Sequence, residues 1–236
     1  MSAPQPSRAR LGTPRLHLRS TDSTNERARV LALAGAPHGT LVTAGEQTAG
    51  RGRQGRTWSA PPGRALLASL VLREIPPLLA LASALAVADV VGADAAIKWP
   101  NDVLLGDRKL AGILAEGRPQ EGWAVLGIGL NVAVRDADLP PELAGRAAGM
   151  GLAPADVEPV LSRLLAALEL RLTQEPGAIV DAYRERDALL GRALRWGQGE
   201  GVAAGIDGAG RLLVDRAGGE RVALEAGEVH IAHTAP

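Results

Sequence analysis

The chain has 236 residues, 46% of them apolar and 22% charged, which suffices for a buried core in one or two domains. Its 26 basic and 26 acidic residues cancel, which argues against a partner bound through bulk charge, such as nucleic acid or a membrane surface. There is no cysteine, so disulfides, a thiolate nucleophile and cysteine-ligated zinc are excluded.

Residues 1–14 are arginine- and proline-bearing, with no apolar stretch, and read as a disordered tail without a secretory signal. No run of 18 apolar residues follows, so no membrane-spanning helix is expected and the chain reads as cytoplasmic. Residues 15–19 suggest a strand. Ser23 and Glu26 have capping-box spacing, opening a helix that runs to Ala34 and stops at Gly35. Residues 40–44 are β-branched enough for a strand, 45–58 form a glycine- and arginine-rich loop, and 65–72 form an apolar strand. Pro77 suits the first turn of a helix over 78–91. Residues 95–99, 103–105, 108–116 and 123–132 read as strands, with Gly106-Asp107 as a hairpin turn. A loop over 133–155 leads to helices at 156–174 and 176–189. The first carries Leu161, Leu164, Leu165, Leu168 and Leu172 on one side. From Gly191 the texture changes to short strands broken by glycines, the pattern of a small antiparallel barrel. The expected fold is therefore α+β. A mixed-sheet domain over 15–190 is followed by a small β domain over 191–236.

Composition singles out a few positions. Every basic residue is Arg except Lys98 and Lys109, and asparagine occurs only at 25, 101 and 131. Both lysines and two of the three asparagines fall between 98 and 131. The loop Gly50-Arg51-Gly52-Arg53-Gln54-Gly55-Arg56 follows a strand. Glycine lets backbone N–H groups approach an anion, and arginine adds planar, paired donors. A flexible loop that binds nothing shares this composition. Lys98-Trp99-Pro100-Asn101-Asp102 ends a strand in a polar turn, Lys109 enters a strand, and Gly127-Ile128-Gly129-Leu130-Asn131 places glycines inside one. Strand glycines mark close approach of a ligand or of another chain segment.

Taken in order, Ser23-Thr24-Asn25, the 50–56 loop ending in Trp58, Lys98 to Asp102, Lys109 to Leu114 and Gly127 to Asn131 resemble the motifs of biotin–protein ligases. The resemblance is close over residues 16–132 and looser beyond. It implies a catalytic domain with a mixed sheet and flanking helices, then an SH3-like barrel. It implies activation of biotin by ATP, with Mg2+, to biotinyl-5′-AMP. Transfer to a lysine of a biotin carboxyl carrier protein follows.

By resemblance, the biotin site comprises Ser23, Thr24, Asn25, Gln47, Arg51, Gly52, Arg53, Lys109, Gly112, Gly127 and Gly129. Ser23, Thr24 and Gln47 face the ureido ring. The nucleotide side comprises Arg53, Arg56, Trp58, Lys98, Asn101, Asp102, Lys109 and Asn131. Lys109, Asp102, Arg51 and Arg53 carry the catalysis. Lys109 serves the carboxylate and phosphate oxygens, and Asp102 orients and deprotonates the incoming amine. The resemblance allows either a monomer or a homodimer. The Ser-Thr-Asn motif begins at residue 23, which leaves too little chain ahead of it for a winged helix, so no DNA binding is expected. Two alternatives stand beside this reading: a lipoate- or octanoate-handling ligase of the same fold class, and a non-catalytic protein that binds the adenylate.

Overall fold

The computed structural model describes residues 10–232 except Gln198 and Ala226. Seven strands form one mixed sheet: β1 (Arg15–Leu18), β2 (Leu41–Ala44), β3 (Ala65–Leu72), β4 (Ala95–Lys98), β5 (Asp102–Leu105), β6 (Arg108–Arg118) and β7 (Trp123–Asn131). Their order is β1-β2-β3-β7-β6-β5-β4. The β1–β2 pair is parallel and the others are antiparallel.

The alternation of β3 and β7 divides the sheet into two faces. Leu66, Ala68, Leu70 and Leu72 of β3, with Ala124, Leu126, Ile128 and Leu130 of β7, join the main apolar core. The helices α2 (Leu79–Val91) and α3 (Val157–Arg171) belong to that core through Leu85, Val87, Leu161, Leu164 and Leu168. On the other face, α1 (Thr24–Leu33) packs Ala28 and Ala32 onto Val42, Val71 and Val125. Strand β3 is thus buried on both sides, which is why its sequence is apolar throughout rather than alternating. Beyond α1 this second face is open.

Several local expectations are corrected. Residues 1–9 lie outside the described residues, but the chain is packed before residue 15. Leu11 is buried, its N–H donates to Glu169 Oε1 at 3.0 Å, and Gly12 N–H donates to Gly39 O at 2.8 Å. Ser23 is the N-cap of α1, yet its side chain makes no capping bond. The reciprocal bond is pre-empted as well. Asp22 Oδ1 accepts the Ser23 N–H at 2.7 Å, while Glu26 is drawn to Arg29 and Arg51. Pro77 lies ahead of α2, because Leu78 adopts a left-handed conformation (φ 57°) as the N-cap. Helix α4 (Pro176–Arg184) stops short of Leu189. There the chain leaves the helix to pair with β4: Ile97 N–H donates to Arg186 O at 2.7 Å and Ala188 N–H to Ile97 O at 3.0 Å.

The remaining strands, β8 (Ala193–Trp196), β9 (Gly199–Ile206), β10 (Leu212–Asp215), β11 (Arg221–Leu224) and β12 (His230–Ile231), form a second sheet. Every pairing in it is antiparallel, in the order β11-β10-β9-β8-β12. Among the described residues no pairing closes β11 onto β12, so the expected closed barrel is observed as an open five-stranded order. The change of texture at 191 is not a break in the core. Leu194, Ala203, Ile206, Leu212 and Val214 belong to the same apolar cluster as α2 and α3. Trp99 Nε1 donates to Gly210 O at 3.0 Å across this junction. No helix among the described residues is long and apolar enough to cross a membrane.

Candidate active site

The open half of the sheet face is the floor of a cleft of about 860 Å³, within the usual range for small-molecule sites. Every residue named above for biotin, the adenylate or catalysis lines it.

The floor follows from strand register. Gly112 of β6 pairs with Gly129 of β7, and Gly127 is flanked by Leu114 and Ser69. Paired residues share a face, so Gly127, Gly129, Gly112 and Asn131 all point into the cleft, while Ser69, on the same face, is covered by Asn25. The expectation of a close approach at the glycines holds, but side chains of this chain make it. A methyl group at Gly127 would lie 2.8 Å from Asn25 Cγ, and one at Gly129 would lie 2.8 Å from Trp58 Nε1. At Gly112 it would meet Trp58 Cζ3 at 3.2 Å.

A register shift places the lysine. Asp102 pairs with Gly112 and Val103 with Ala111, but Leu104 then pairs with Lys109, so β6 carries one extra residue there. Without it Lys109, three residues from Gly112, would point to the opposite face. The bulge turns it into the cleft, where Lys109 Nζ lies 2.7 Å from Asp102 Oδ1 and 5.7 Å from the centre of the Trp58 ring. Lys98 pairs with Asp102 across β4–β5 and lines the same cleft. Burial lowers the Lys98 pKa, against the opposing pull of Asp102 and Glu228.

The 50–56 loop folds over one end. It is closed by Gly52 N–H to Arg56 O at 2.7 Å and Trp58 N–H to Gly50 O at 2.9 Å, with Gln54 and Gly55 in left-handed conformation. Its arginines diverge. Arg53 donates to Asn101 Oδ1 at 3.1 Å, and burial lowers its pKa. Arg51 pairs with Glu26 at 3.2 Å, and Arg56 with Glu228 of the C-terminal segment at 2.8 Å. Asn101 is itself fixed, donating to Ile113 O at 2.8 Å.

Beside this loop, the first turn of α1 presents Ser23, Thr24 and Asn25, all buried. Thr24 N–H donates to Gln47 Oε1 at 2.7 Å, and the Thr24 hydroxyl lies 3.0 Å from the same oxygen. Asn25 Nδ2 donates to Glu116 Oε2 at 2.7 Å. Asn131 Nδ2 donates to Ala148 O at 3.0 Å, and Lys109 is tied to the same segment through Ala148 N–H to Lys109 O at 2.9 Å.

Sequence reasoning missed Ser69, Glu116, Arg192, Glu228 and the 145–147 segment. Of these, all but Ser69 and Glu116 line the cleft directly; Ser69 and Glu116 hold its Asn25 side chain. Ser69 did leave a signal, as the lone hydroxyl in an otherwise apolar eight-residue strand. The others stand in stretches of ordinary surface composition.

The comparisons with known proteins agree with this geometry. Residues 17–132 match the biotin/lipoate A/B protein ligase family, and residues 195–231 match the biotin protein ligase C-terminal domain. A biotin–[acetyl-CoA-carboxylase] ligase of Mycobacterium tuberculosis is 38% identical over 89% of this chain and 85% of its own length. One from Paracoccus denitrificans is 37% identical over 90% and 98%. The structure of the biotin protein ligase from Aquifex aeolicus, in complex with biotin and ATP, superposes with a TM-score of 0.80. It is 27% identical and covers 94% of this chain and all of that one. With both of its sheets matched and two relatives aligned along most of their length, the chain belongs to the biotin protein ligase family.

Proposed function

We infer that the chain is an ATP-dependent ligase that activates biotin to biotinyl-5′-AMP and transfers it to a lysine of a biotin carboxyl carrier protein. The observation that carries this is the meeting, in one cleft, of a lysine–aspartate pair, an arginine-rich loop and a buried Thr24–Gln47 polar pocket. The C-terminal match, which is to biotin ligases by name, favours biotin over lipoate.

In the first step a biotin carboxylate oxygen attacks the α-phosphorus of ATP, and the bond to pyrophosphate breaks. Two anions must meet, so the step needs fixed cations. Lys109, Arg51 and Arg53 supply them, with Lys98 and Arg56 toward the departing phosphates. Lys109 is a compact ammonium on a flexible stem, suited to leave Asp102 for the incoming oxygens. Ser23, Thr24, Asn25 and Gln47 form the ring pocket, with Gly52, Gly112, Gly127 and Gly129 giving the clearance. Trp58, Asn101 and Asn131 hold the nucleotide. The buried Trp58 Nε1 has no hydrogen-bond partner within the described chain, which suits a ligand acceptor.

In the second step the acceptor amine attacks the acyl carbon, the bond to AMP breaks, and Asp102 takes the amine proton. The 50–56 loop keeps water from the mixed anhydride. Magnesium would arrive on the ATP phosphates, as this ion commonly does. Asp102, Asp107 and Glu228 are the carboxylates that the cleft lining offers it. We assign the C-terminal sheet to the SH3-like class, place the domain boundary near residue 190 and the enzyme in the cytoplasm.

The test is ATP–pyrophosphate exchange with the purified chain. Exchange that depends on biotin is expected. Exchange with lipoate but not biotin, or with neither, refutes the reading.

A further inference from the structure

The hairpin that carries Lys98, Asn101 and Asp102 into the cleft is held from behind by the second sheet, through contacts that the reaction as described does not use. Lys98 ends β4, Asp102 opens β5, and residues 99–101 turn between them. Trp99, next to Lys98, goes the other way. It is 2% exposed, belongs to the main core, and donates its indole N–H to Gly210 O at 3.0 Å. The far limb of the turn is fixed to β6, through Ile113 N–H to Asn101 O at 2.9 Å and Asn101 Nδ2 to Ile113 O at 2.8 Å. On the near limb, Ile97 is bonded to Arg186 and Ala188, and Trp99 to Gly210. Lys98 therefore stands between two residues whose partners lie outside the cleft.

The acceptor of the indole bond is itself held in place. Asp207-Gly208-Ala209-Gly210 links β9 to β10. Asp207 Oδ1 accepts the N–H of Ala209 at 3.0 Å and of Arg211 at 2.9 Å, and its Oδ2 accepts Arg211 Nε at 2.7 Å. Asp207 N–H donates to Arg211 O at 3.0 Å, and Gly210 N–H to Asp207 O at 3.0 Å. Gly210 is left-handed (φ 76°), and a methyl group there would lie 2.7 Å from Leu78 Cδ2. Glycine thus lets the turn sit close against the α2 segment with its carbonyl at the indole. An indole N–H can only donate, and burial makes the loss of its acceptor costly, so the indole follows the turn. The second sheet also brings Glu228 to the cleft, where Glu228 and Asp102 both attract Lys98.

We propose that the Asp207–Gly210 turn positions the nucleotide side of the cleft: acting through Trp99, it fixes where Lys98 presents its ammonium to the ATP phosphates. This rests on the reading of Lys98 as a residue of the phosphate side. Trp99 and Asp207 are positioning residues, since neither lines the cleft. The second sheet then serves the site twice, facing Lys98 with a carboxylate and holding the strand end that bears it.

The experiment titrates ATP, and separately biotin, in ATP–pyrophosphate exchange, with melting temperatures alongside. Trp99→Phe keeps an apolar ring in the core and removes the donor. Its KM for ATP should rise about tenfold, the size of one lost hydrogen bond, while KM for biotin stays within about twofold. Asp207→Ala loosens the turn and leaves Trp99 intact; its KM for ATP should rise about threefold, since the freed turn still offers its carbonyl part of the time. In a Lys98→Met background neither change should add to KM for ATP, because both act through Lys98. Arg184→Met is the control. The Arg184 side chain donates to Ile206 O at 3.1 Å and so joins α4 to β9 away from the hairpin. Its loss should leave KM for ATP within about twofold, whatever it does to the melting temperature. An unchanged KM for ATP in Trp99→Phe, an effect that adds fully onto Lys98→Met, or an equal rise in Arg184→Met overturns the proposal. Should Trp99→Phe be too unstable to assay, Asp207→Ala decides by the same criteria. Wild-type protein without biotin-dependent exchange overturns the ligase reading itself. An active wild type with a flat Trp99→Phe response overturns the positioning role alone.

Discussion

The glycines of the cleft floor permit a graded test of how Trp58 is seated. Neither Gly112 nor Gly129 has a left-handed φ, so alanine is allowed by the backbone at both and the surroundings alone decide the outcome. At Gly112 a methyl group meets Trp58 Cζ3 at 3.2 Å and the Lys109 stem at 3.4 Å, a crowding of a few tenths of an ångström. Removing glycine from a strand restores about 0.5–1 kcal/mol of backbone entropy, which roughly offsets that crowding. At Gly129 the methyl group lies 2.8 Å from both Cζ2 and Nε1 of Trp58, against the rigid indole rather than the tip of a flexible chain. Overpacking of this kind costs about 1–3 kcal/mol. For a chain of this size that corresponds to a melting temperature lower by roughly 3–10 °C. Because the displaced indole belongs to the proposed nucleotide side, Gly129→Ala should also raise KM for ATP about tenfold. Gly112→Ala should stay near wild type in both measures. Scanning calorimetry and exchange kinetics on the two variants read this directly. A Gly129→Ala protein as stable and active as Gly112→Ala would refute the seating of Trp58 as the reason for these glycines.

Lys109→Ala should lower biotin-dependent exchange by about 10²–10³-fold, the loss typical of a group that stabilises developing charge; near-normal exchange counts against its role. Asp102→Asn should slow transfer to an acceptor lysine more than adenylate formation, measured by single-turnover chase of the purified adenylate; equal losses in both steps speak against it as the base. Lys98 gives a prediction of stability against pH. Its pKa in the folded chain is lowered by burial, so the unfolded chain binds more protons between that value and the ordinary 10.5. The Lys98 contribution to stability therefore rises with pH across that window and is unfavourable below it. Lys98→Met should leave the melting temperature at pH 7 unchanged or higher while KM for ATP rises; a clear loss of stability there would contradict the sign.

Much of the fold was legible because the signals were local. The eight-residue apolar strand, the Gly106-Asp107 turn and the leucine stripe of α3 each follow from a few neighbouring residues. The failures share a cause. Glu26 left its capping geometry for arginines, one of them in the 50–56 loop, and the end of α4 was taken over by pairing with β4. Apart from the local Glu26–Arg29 pair, these contacts join segments distant in sequence, and periodicity carries no trace of them. The site divides the same way. Its lysines and asparagines stood out by rarity, whereas Glu228 and Arg192 reach the cleft only because the second sheet folds back onto it. The bulge that aims Lys109 was invisible, since an extra residue in a strand changes register without changing composition.

The shared core of the two sheets has a consequence for how such chains diverge. Gly210, in the turn before β10, sits against Leu78 and Leu81 of the α2 segment, and its carbonyl receives the Trp99 indole. Arg56 and Glu228 meet across the same divide. A tail grafted from a relative would bring its own turn, its own leucine contacts and its own acid to a loop evolved with another partner. Changes on the two sides are therefore expected to accumulate in matched pairs, at Leu78 with Gly210 and at Arg56 with Glu228. Chimaeras joined near residue 190 should recover function only when those pairs travel together.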